Sequence, residues 1–278
     1  MLLLLLNNAL ADFDDLRLTA MLDWDGRPYT SSTSHQAAYM QVSKQLGAAI
    51  ATSIQPARTM GIWGFELTLH QSFSFIDADK TIDNNPSAWA LMTPDEDIFP
   101  ILCIPRLQLR KGLPLSSEIS LSMGYILFSR QSTFGAAARI APVEGYHIAP
   151  DIALQVGYNA YIGGPEFHLG TIDYTAILSK EFGFGYLKGM TTSTIAPFVA
   201  VGAINTHVSP KISGASQDSL SIGPISGFSS STYFTEELSQ VFLNGGLKLN
   251  SHDFSFQVDY RHVFSSLSTV SMALSWEY

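Results

Sequence analysis

The sequence predicts an all-β fold, a transmembrane antiparallel up-and-down β-barrel of about ten strands preceded by an N-terminal helix. Three observations predict it. About ten stretches alternate apolar and polar residues with a period of two, which is typical of strands with two different faces. Only 14% of the 278 residues are charged, against roughly 25% in soluble domains. No window approaches the roughly 18 apolar residues of a membrane-spanning helix, and only helices and closed barrels satisfy the backbone in lipid.

Composition also excludes several classes of partner. The net charge is −9 and only 15 residues are Lys or Arg, without a basic run, so we expect no nucleic acid. A single cysteine, Cys103, leaves no internal disulfide and no CxxC pair. We predict neither a metal nor a cofactor.

The first eleven residues, MLLLLLNNALA, resemble the end of a secretory signal peptide. Ala9-Leu10-Ala11 has the form of a signal-peptidase site, with cleavage before Asp12. We therefore interpret residues 1–11 as a signal-peptide remnant. The alternative is a buried apolar strand or helix.

Residues 12–57 do not alternate and form a separate N-terminal segment with a helix predicted at 34–53. Thr33-Ser34-His35-Gln36 has capping-box spacing, and Pro56 ends the pattern. The small apolar stripe of this helix consists of Ala38, Val42, Leu46, Ala49 and Ile50. Three placements are open: a plug inside the lumen, a lid across the periplasmic mouth, or a helix loose in the periplasm.

The barrel is predicted to span residues 58–278. The alternating runs lie at about 60–75, 98–111, 116–128, 132–142, 150–162, 168–180, 192–206, 235–250, 253–263 and 267–278. A soluble β-sandwich also alternates, but its strands are shorter, with a mode near 5–6 residues. Five outward residues span roughly 30 Å of strand, and a tilt of about 45° leaves a belt slightly over ~20 Å tall. That height fits a lipid-facing belt and favours the barrel.

Loop lengths predict the orientation, because barrels of this type have short periplasmic turns and longer extracellular loops. We predict that both termini are periplasmic, because the long connections Asp77–Asp97 and Thr206–Tyr233 then both fall on the extracellular side. The connections that would then be periplasmic are all short.

The C-terminal run carries the one resemblance to a known class. Its alternating residues, ending in a terminal aromatic, are Val270, Met272, Leu274, Trp276 and Tyr278. This pattern resembles the assembly signal of bacterial outer-membrane β-barrel proteins, although Tyr stands where Phe is usual. The resemblance implies insertion into the outer membrane of a Gram-negative envelope by the barrel-assembly machinery, with outer-membrane lipid around the wall.

Charged residues on the inward faces are the candidate site. The lumen-lining candidates are Glu66, His70, Arg106, Arg110, Glu118, Arg139, Asp151, Asp173, Lys248, Asp259 and Arg261. We expect Arg110 to pair with Glu118 and Arg139 with Asp151, as is usual in the filling of a small barrel. The alternative is a selectivity filter of Arg106, Arg110, Arg139 and Arg261.

Catalytic motifs are weak, and we predict no enzyme. None of the seven histidines lies in HExxH, and there is no GxSxG. His252-Asp253 with Asp14-Asp15 could suggest an aspartate–histidine site, but His252 falls in a predicted periplasmic turn.

The sequence therefore favours a porin-like transport protein, a narrow channel or transporter for small solutes gated by the N-terminal helix. A non-conducting structural or binding barrel that uses its long loops is the alternative, and an outer-membrane enzyme is a third hypothesis. The solute and the oligomeric state remain open.

Overall fold

Ten strands close into one antiparallel barrel in the computed structural model of the chain. The structure describes residues 32–278 except 77, 79–80, 83–84, 93–98, 128, 130, 147–148, 165–166, 188–189, 211–235 and 265. The elements, in chain order, are α1 (Ser32–Ile50), β1 (Phe65–Phe75), β2 (Thr81–Ile82), β3 (Asn85–Ser87), α2 (Ala88–Met92), β4 (Ile101–Leu113), β5 (Ser117–Tyr125), β6 (Ser132–Val143), β7 (Asp151–Ile162), β8 (Phe167–Ser179), β9 (Phe182–Leu187), β10 (Met190–Pro210), β11 (Glu236–Ser251), β12 (Phe254–Val263) and β13 (Ser268–Glu277). The predicted signal-peptide remnant, residues 1–11, lies outside the described residues.

Each barrel strand pairs with its neighbours in the chain, and the ring closes where β13 pairs with β1. The ring consists of β1, β4, β5, β6, β7, β8, β10, β11, β12 and β13. The predicted fold class and strand number are confirmed, and each predicted run overlaps one ring strand, although the ends of several strands differ from the predicted ones. The alternation was sufficient to predict the strands because one face of each strand meets apolar lipid and the other meets the polar interior of the barrel.

The structure adds elements that the alternation did not predict. β9 continues the line of β8 and pairs with the start of β10, so this hairpin extends past the ring. The first long connection carries the small β2–β3 ladder and α2. The second predicted loop, Thr206–Tyr233, begins within β10, and its residues from 211 onward lie outside the described residues.

The wall has the polarity of a membrane barrel. Large apolar side chains point outward and are exposed, as at Leu121 (50%) and Leu274 (55%). Their neighbours along the strands, such as Thr68 and Ser275, point inward and are buried. An apolar outer belt on a closed sheet is the arrangement that lipid requires, because it leaves no unpaired edge in the hydrocarbon. The protein is a transmembrane β-barrel of the outer-membrane type.

The two ends of the barrel differ. At one end, here called the turn end, β4 joins β5 through three residues, β11 joins β12 through His252-Asp253, and the chain ends at Tyr278. At the other, the loop end, lies the long connection from Ile76 to Pro100.

Helix α1 spans Ser32–Ile50, whereas the sequence predicted 34–53. It ends earlier because the wall binds the next residues in an extended conformation. Arg106 donates hydrogen bonds to the carbonyl oxygens of Ile50 and Ala51, and the Thr52 amide donates to Asp173. No described helix is long and apolar enough to cross a membrane.

Candidate functional site in the barrel lumen

The lumen is filled by the N-terminal segment. α1 occupies its loop-end half, and residues 51–58, here called the strap, continue to the turn end. Residues 51–57 of the strap are all buried. Of the three placements that the sequence left open, the structure has the plug inside the lumen.

Side chains of the wall hold the backbone of the strap. Each carbonyl oxygen from Ile50 to Pro56 accepts a hydrogen bond from an inward side chain, and so does that of Arg58. The donors are Arg106 to Ile50 (3.1 Å) and Ala51 (3.0 Å), Arg261 to Thr52, Gln155 to Ser53 (3.3 Å), Gln257 to Ile54 (2.7 Å), and Arg139 to Gln55 (3.4 Å), Pro56 (2.8 Å) and Arg58 (3.2 Å). A buried extended chain has no internal hydrogen bonds, so these donors take the place of water.

Polar groups of the strap are bonded to the wall in turn. Thr52 donates through its amide (3.1 Å) and hydroxyl (2.7 Å) to Asp173 Oδ2. Further bonds join Ser53 Oγ to Gln108 (2.8 Å), Gln55 Nε2 to Glu66 (2.9 Å) and the Ala57 amide to Ser179 Oγ (2.9 Å). The strap therefore contacts six strands of the ring: β1, β4, β6, β7, β8 and β12.

A network of ion pairs lies in the turn-end half of the lumen, beside the strap. Glu66 pairs with Arg110 (2.9 Å) and Lys248 (2.8 Å), and Lys248 also reaches Glu277 (2.6 Å). Glu118 pairs with Arg139 and lies 3.7 Å from Arg110 Nε. The predicted Arg110–Glu118 pair is therefore present.

The predicted pair of Arg139 with Asp151 is wrong. Arg139 lies opposite Gln155 in the β6–β7 register and turns its guanidinium to Glu118 and the strap. Asp151 instead accepts a hydrogen bond from the Gly145 amide at 2.8 Å. Register and the plug together decided the partner, and the sequence pattern specified neither.

All eleven lumen-lining candidates lie buried on the inner face of the barrel. Glu66, Arg110, Glu118, Arg139 and Lys248 form the turn-end network, with Asp151 beside it at the β6–β7 turn. Near the level of Thr52 lie Arg106, His70, Asp173, Asp259 and Arg261. Four residues of the C-terminal pattern, Val270, Met272, Leu274 and Trp276, lie on the outer face of β13, and the fifth, Tyr278, follows the strand.

In the loop-end half of the lumen, α1 packs within an apolar cluster. Tyr39, Val42, Leu46 and Ile50 of α1 are at most 1% exposed and join one cluster with wall residues such as Phe242. Gly47 approaches β10 so closely that a Cβ there would lie 2.2 Å from Thr206 Oγ1. Trp89 of α2 donates a hydrogen bond to Gln45. This half is packed like the core of a soluble domain.

Two aromatic rings of this cluster point inward from the wall, where polar residues are the rule. Phe198 of β10 stands over Gly246, and Phe242 of β11 stands over Gly202, where a Cβ would come within 2.5 and 2.6 Å of the rings. Phe198 departs from the apolar-outward alternation of its strand, and this departure is a signal that could have marked the position from the sequence. Inward glutamines that hold the strap were equally visible in the alternation, but nothing in the sequence marked the strap as their partner.

A cavity of about 810 Å³ opens at the turn end. Gln55 and Pro56 of the strap form its inner wall together with Arg110, Lys248 and Glu277, and Trp63 and Tyr278 line its rim. Within the described part of the chain, no three His, Cys, Asp or Glu side chains converge to hold a metal ion.

Comparison with known proteins finds likeness of form. No family model and no curated protein matches the sequence. Among solved structures, the N-terminal β-barrel domain of Pseudomonas aeruginosa OprF is 10% identical, covers 79% of this chain and 100% of its own, and has a TM-score of 0.32. Acinetobacter baumannii Omp33 is 10% identical with 78% and 100% coverage and a TM-score of 0.29. LpxR from Salmonella typhimurium is 8% identical with 77% and 99% coverage and a TM-score of 0.37. These structures share only the barrel form with this chain.

Proposed function

We propose that this protein is a narrow channel for small polar solutes, held closed by α1 and the strap. The observation that carries the proposal is the hydrophilic wall around the strap. Arg106, Arg139 and Arg261 donate hydrogen bonds to backbone carbonyls of the plug, and Arg139 also pairs with Glu118 of the wall. Water could replace those carbonyls as the hydrogen-bond acceptor. In a barrel whose lumen is filled by its own side chains, by contrast, the wall side chains bond mainly to one another.

The width of the lumen supports the same proposal. The ring is wide enough to contain an α-helix, whose diameter with side chains is about 10–12 Å. A passage of that order would remain if the plug left. Five cationic and five anionic buried candidates line it (Arg106, Arg110, Arg139, Lys248 and Arg261; Glu66, Glu118, Asp151, Asp173 and Asp259), which favours polar solutes without strong charge preference.

A second candidate function is a non-conducting binding barrel. The apolar packing of Tyr39, Val42 and Leu46 favours it, because exposing these side chains to water costs about 25 cal/mol per Å². In that case the plug never leaves, and function belongs to the loops or the turn-end cavity.

Conductance in planar bilayers tests the proposal. Removal of residues 12–57 is expected to produce steady channels from a barrel whose folding is verified by heat-shifted gel mobility. A folded but silent truncated barrel would contradict a pore of any kind.

A reversible cross-link then separates the two candidates. A Cβ built on Gly157 would lie 2.0 Å from Thr52 Oγ1, so the two Cα atoms are within about 6 Å of each other, a separation that a disulfide can span. Thr52→Cys with Gly157→Cys, in a Cys103→Ser background, can therefore join strap and wall once a small shift of the strap relieves the close contact. The gated channel predicts voltage-dependent openings after reduction and none after oxidation. Silence in both states, beside a conducting truncated barrel, would favour the binding barrel.

A further inference from the structure

The plug follows one direction through the barrel. Gly47 of α1 lies against Thr206, near the loop-end termini of β10 and β11. Thr52 bonds to Asp173 and Asn159, further along the wall. The Ala57 amide then reaches Ser179, the last residue of β8, at the turn end. The chain thus runs from the loop end to the turn end before β1 begins.

The start of α1 lies still further toward the loop end. Ser32 precedes Gly47 by 15 residues (47 − 32), which is about 22 Å of helix at 1.5 Å per residue. Tyr39 and Val42 belong to the cluster that contains Ile76, Trp89 and Leu267, all from connections at the loop end. The two ends of the described chain, Ser32 and Tyr278, therefore lie at opposite ends of the barrel.

The enclosing wall rules out a path around the outside. The strap is bonded to six strands of the ring. The ring itself is closed, because β13 pairs with β1 over ten residue pairs. A segment held on all sides in this way reaches the loop end only through the lumen.

We propose that the chain crosses the membrane inside its own barrel, so that Ser32 at the start of α1 faces the cell surface. The sidedness follows from the loop lengths, because in such barrels the short turns are periplasmic and the long loops are extracellular. Ser32 is then extracellular and Tyr278 periplasmic, whereas the sequence led us to expect both termini in the periplasm. This threaded topology is independent of whether the lumen conducts.

Epitope accessibility in intact cells tests the proposal. The same short tag is inserted immediately before Ser32, after Ser266 at the loop end, and between His252 and Asp253 at the turn end. We expect antibody to bind intact cells that carry either of the first two tags. The third tag should be detected only after the outer membrane is permeabilised.

Two readouts keep the test decisive. Heat-shifted gel mobility identifies the tagged proteins that fold. Where an insertion prevents folding, Ser32→Cys, Ser266→Cys and Asp253→Cys in a Cys103→Ser background replace the tags, with a membrane-impermeant maleimide as the probe. A Ser32 position that is reached only after permeabilisation, while the Ser266 position is reached in intact cells, overturns the threaded path. Inaccessibility of both overturns the extracellular placement of Ser32.

Discussion

One continuous segment fills both halves of the lumen, yet the two halves are held by different interactions. In the loop-end half, α1 buries Tyr39, Val42 and Leu46 in an apolar cluster. In the turn-end half, the strap is bonded through its backbone to arginine and glutamine side chains of the wall.

The two kinds of interaction have different consequences: the apolar packing of α1 affects how firmly the plug is held, and the hydrogen bonds of the strap affect where it is held. Apolar surface that leaves the cluster finds no substitute for its contacts in water, so we expect α1 to supply most of the free energy that retains the plug. A hydrogen bond of the strap can be exchanged for one to water, and its net contribution is only about 0.5–1.5 kcal/mol. Those bonds are directional, however, and they determine which residue of the strap lies at which height in the lumen.

The largest effect is expected from Leu46→Ala in α1. Truncation of a fully buried leucine leaves a cavity, and we expect the free energy of unfolding to fall by about 2–5 kcal/mol. Urea unfolding of the refolded barrel in micelles, followed by tryptophan fluorescence, measures it. Lys44→Ala, at a half-buried position of the same helix, serves as the control and should change little. Equal losses in both variants would mean that α1 is not a packed core element.

The next effect concerns the wall that encloses both halves. Leu121→Arg places a charge on the lipid-facing side and should cost roughly 2–4 kcal/mol near the midplane, measured as unfolding in lipid vesicles. Ser120→Arg, one residue away on the inner, half-buried side, should cost less because that side is polar. If the two variants unfold alike, the assignment of inner and outer faces is incorrect.

A smaller effect is expected where the two halves meet. Arg106→Gln removes both hydrogen bonds to the carbonyls of Ile50 and Ala51, since the shorter side chain cannot span the distance. We expect a loss of about 1–3 kcal/mol, because bonds from a charged donor are stronger than neutral ones. Lys44→Gln, which exchanges a half-buried cation of α1 for the same amide, is the matched control and should change little. A larger loss than that of Leu46→Ala would reverse the ranking of the two halves.

The smallest effect belongs to a single neutral bond of the strap. Gln155→Ala removes the donor to the carbonyl oxygen of Ser53, and water can take its place, so we expect about 0.5–1.5 kcal/mol. Ser255→Ala alters the same inner face at a hydroxyl that has no hydrogen-bond partner within the described residues, and it should be close to neutral. Identical midpoints for both variants would show that the bond to Ser53 is immaterial.

Alternation predicted the strands well because it is a local property. Along β12, outward Phe254, Phe256 and Val258 alternate with inward Ser255 and Gln257, and the burial of each follows from its position in the strand. The end of α1 was predicted less well, at 53 instead of Ile50. Residues 51–53 have ordinary side chains for a helix, and their extended conformation depends on Arg106 and Asp173, which are distant in the chain.

The residue pattern was sufficient to establish the ring: its strand number, its inner and outer faces, and the set of charged residues that point inward. It was sufficient because period-two patterning and strand length are encoded residue by residue. The three-dimensional contacts were needed to establish that the helix is a plug, that the strap is bonded to six strands, that Arg139 pairs with Glu118, and that the described chain begins and ends at opposite ends of the barrel. Those outcomes depend on register and on partners far apart in the chain, and neither leaves a periodic signal in the sequence.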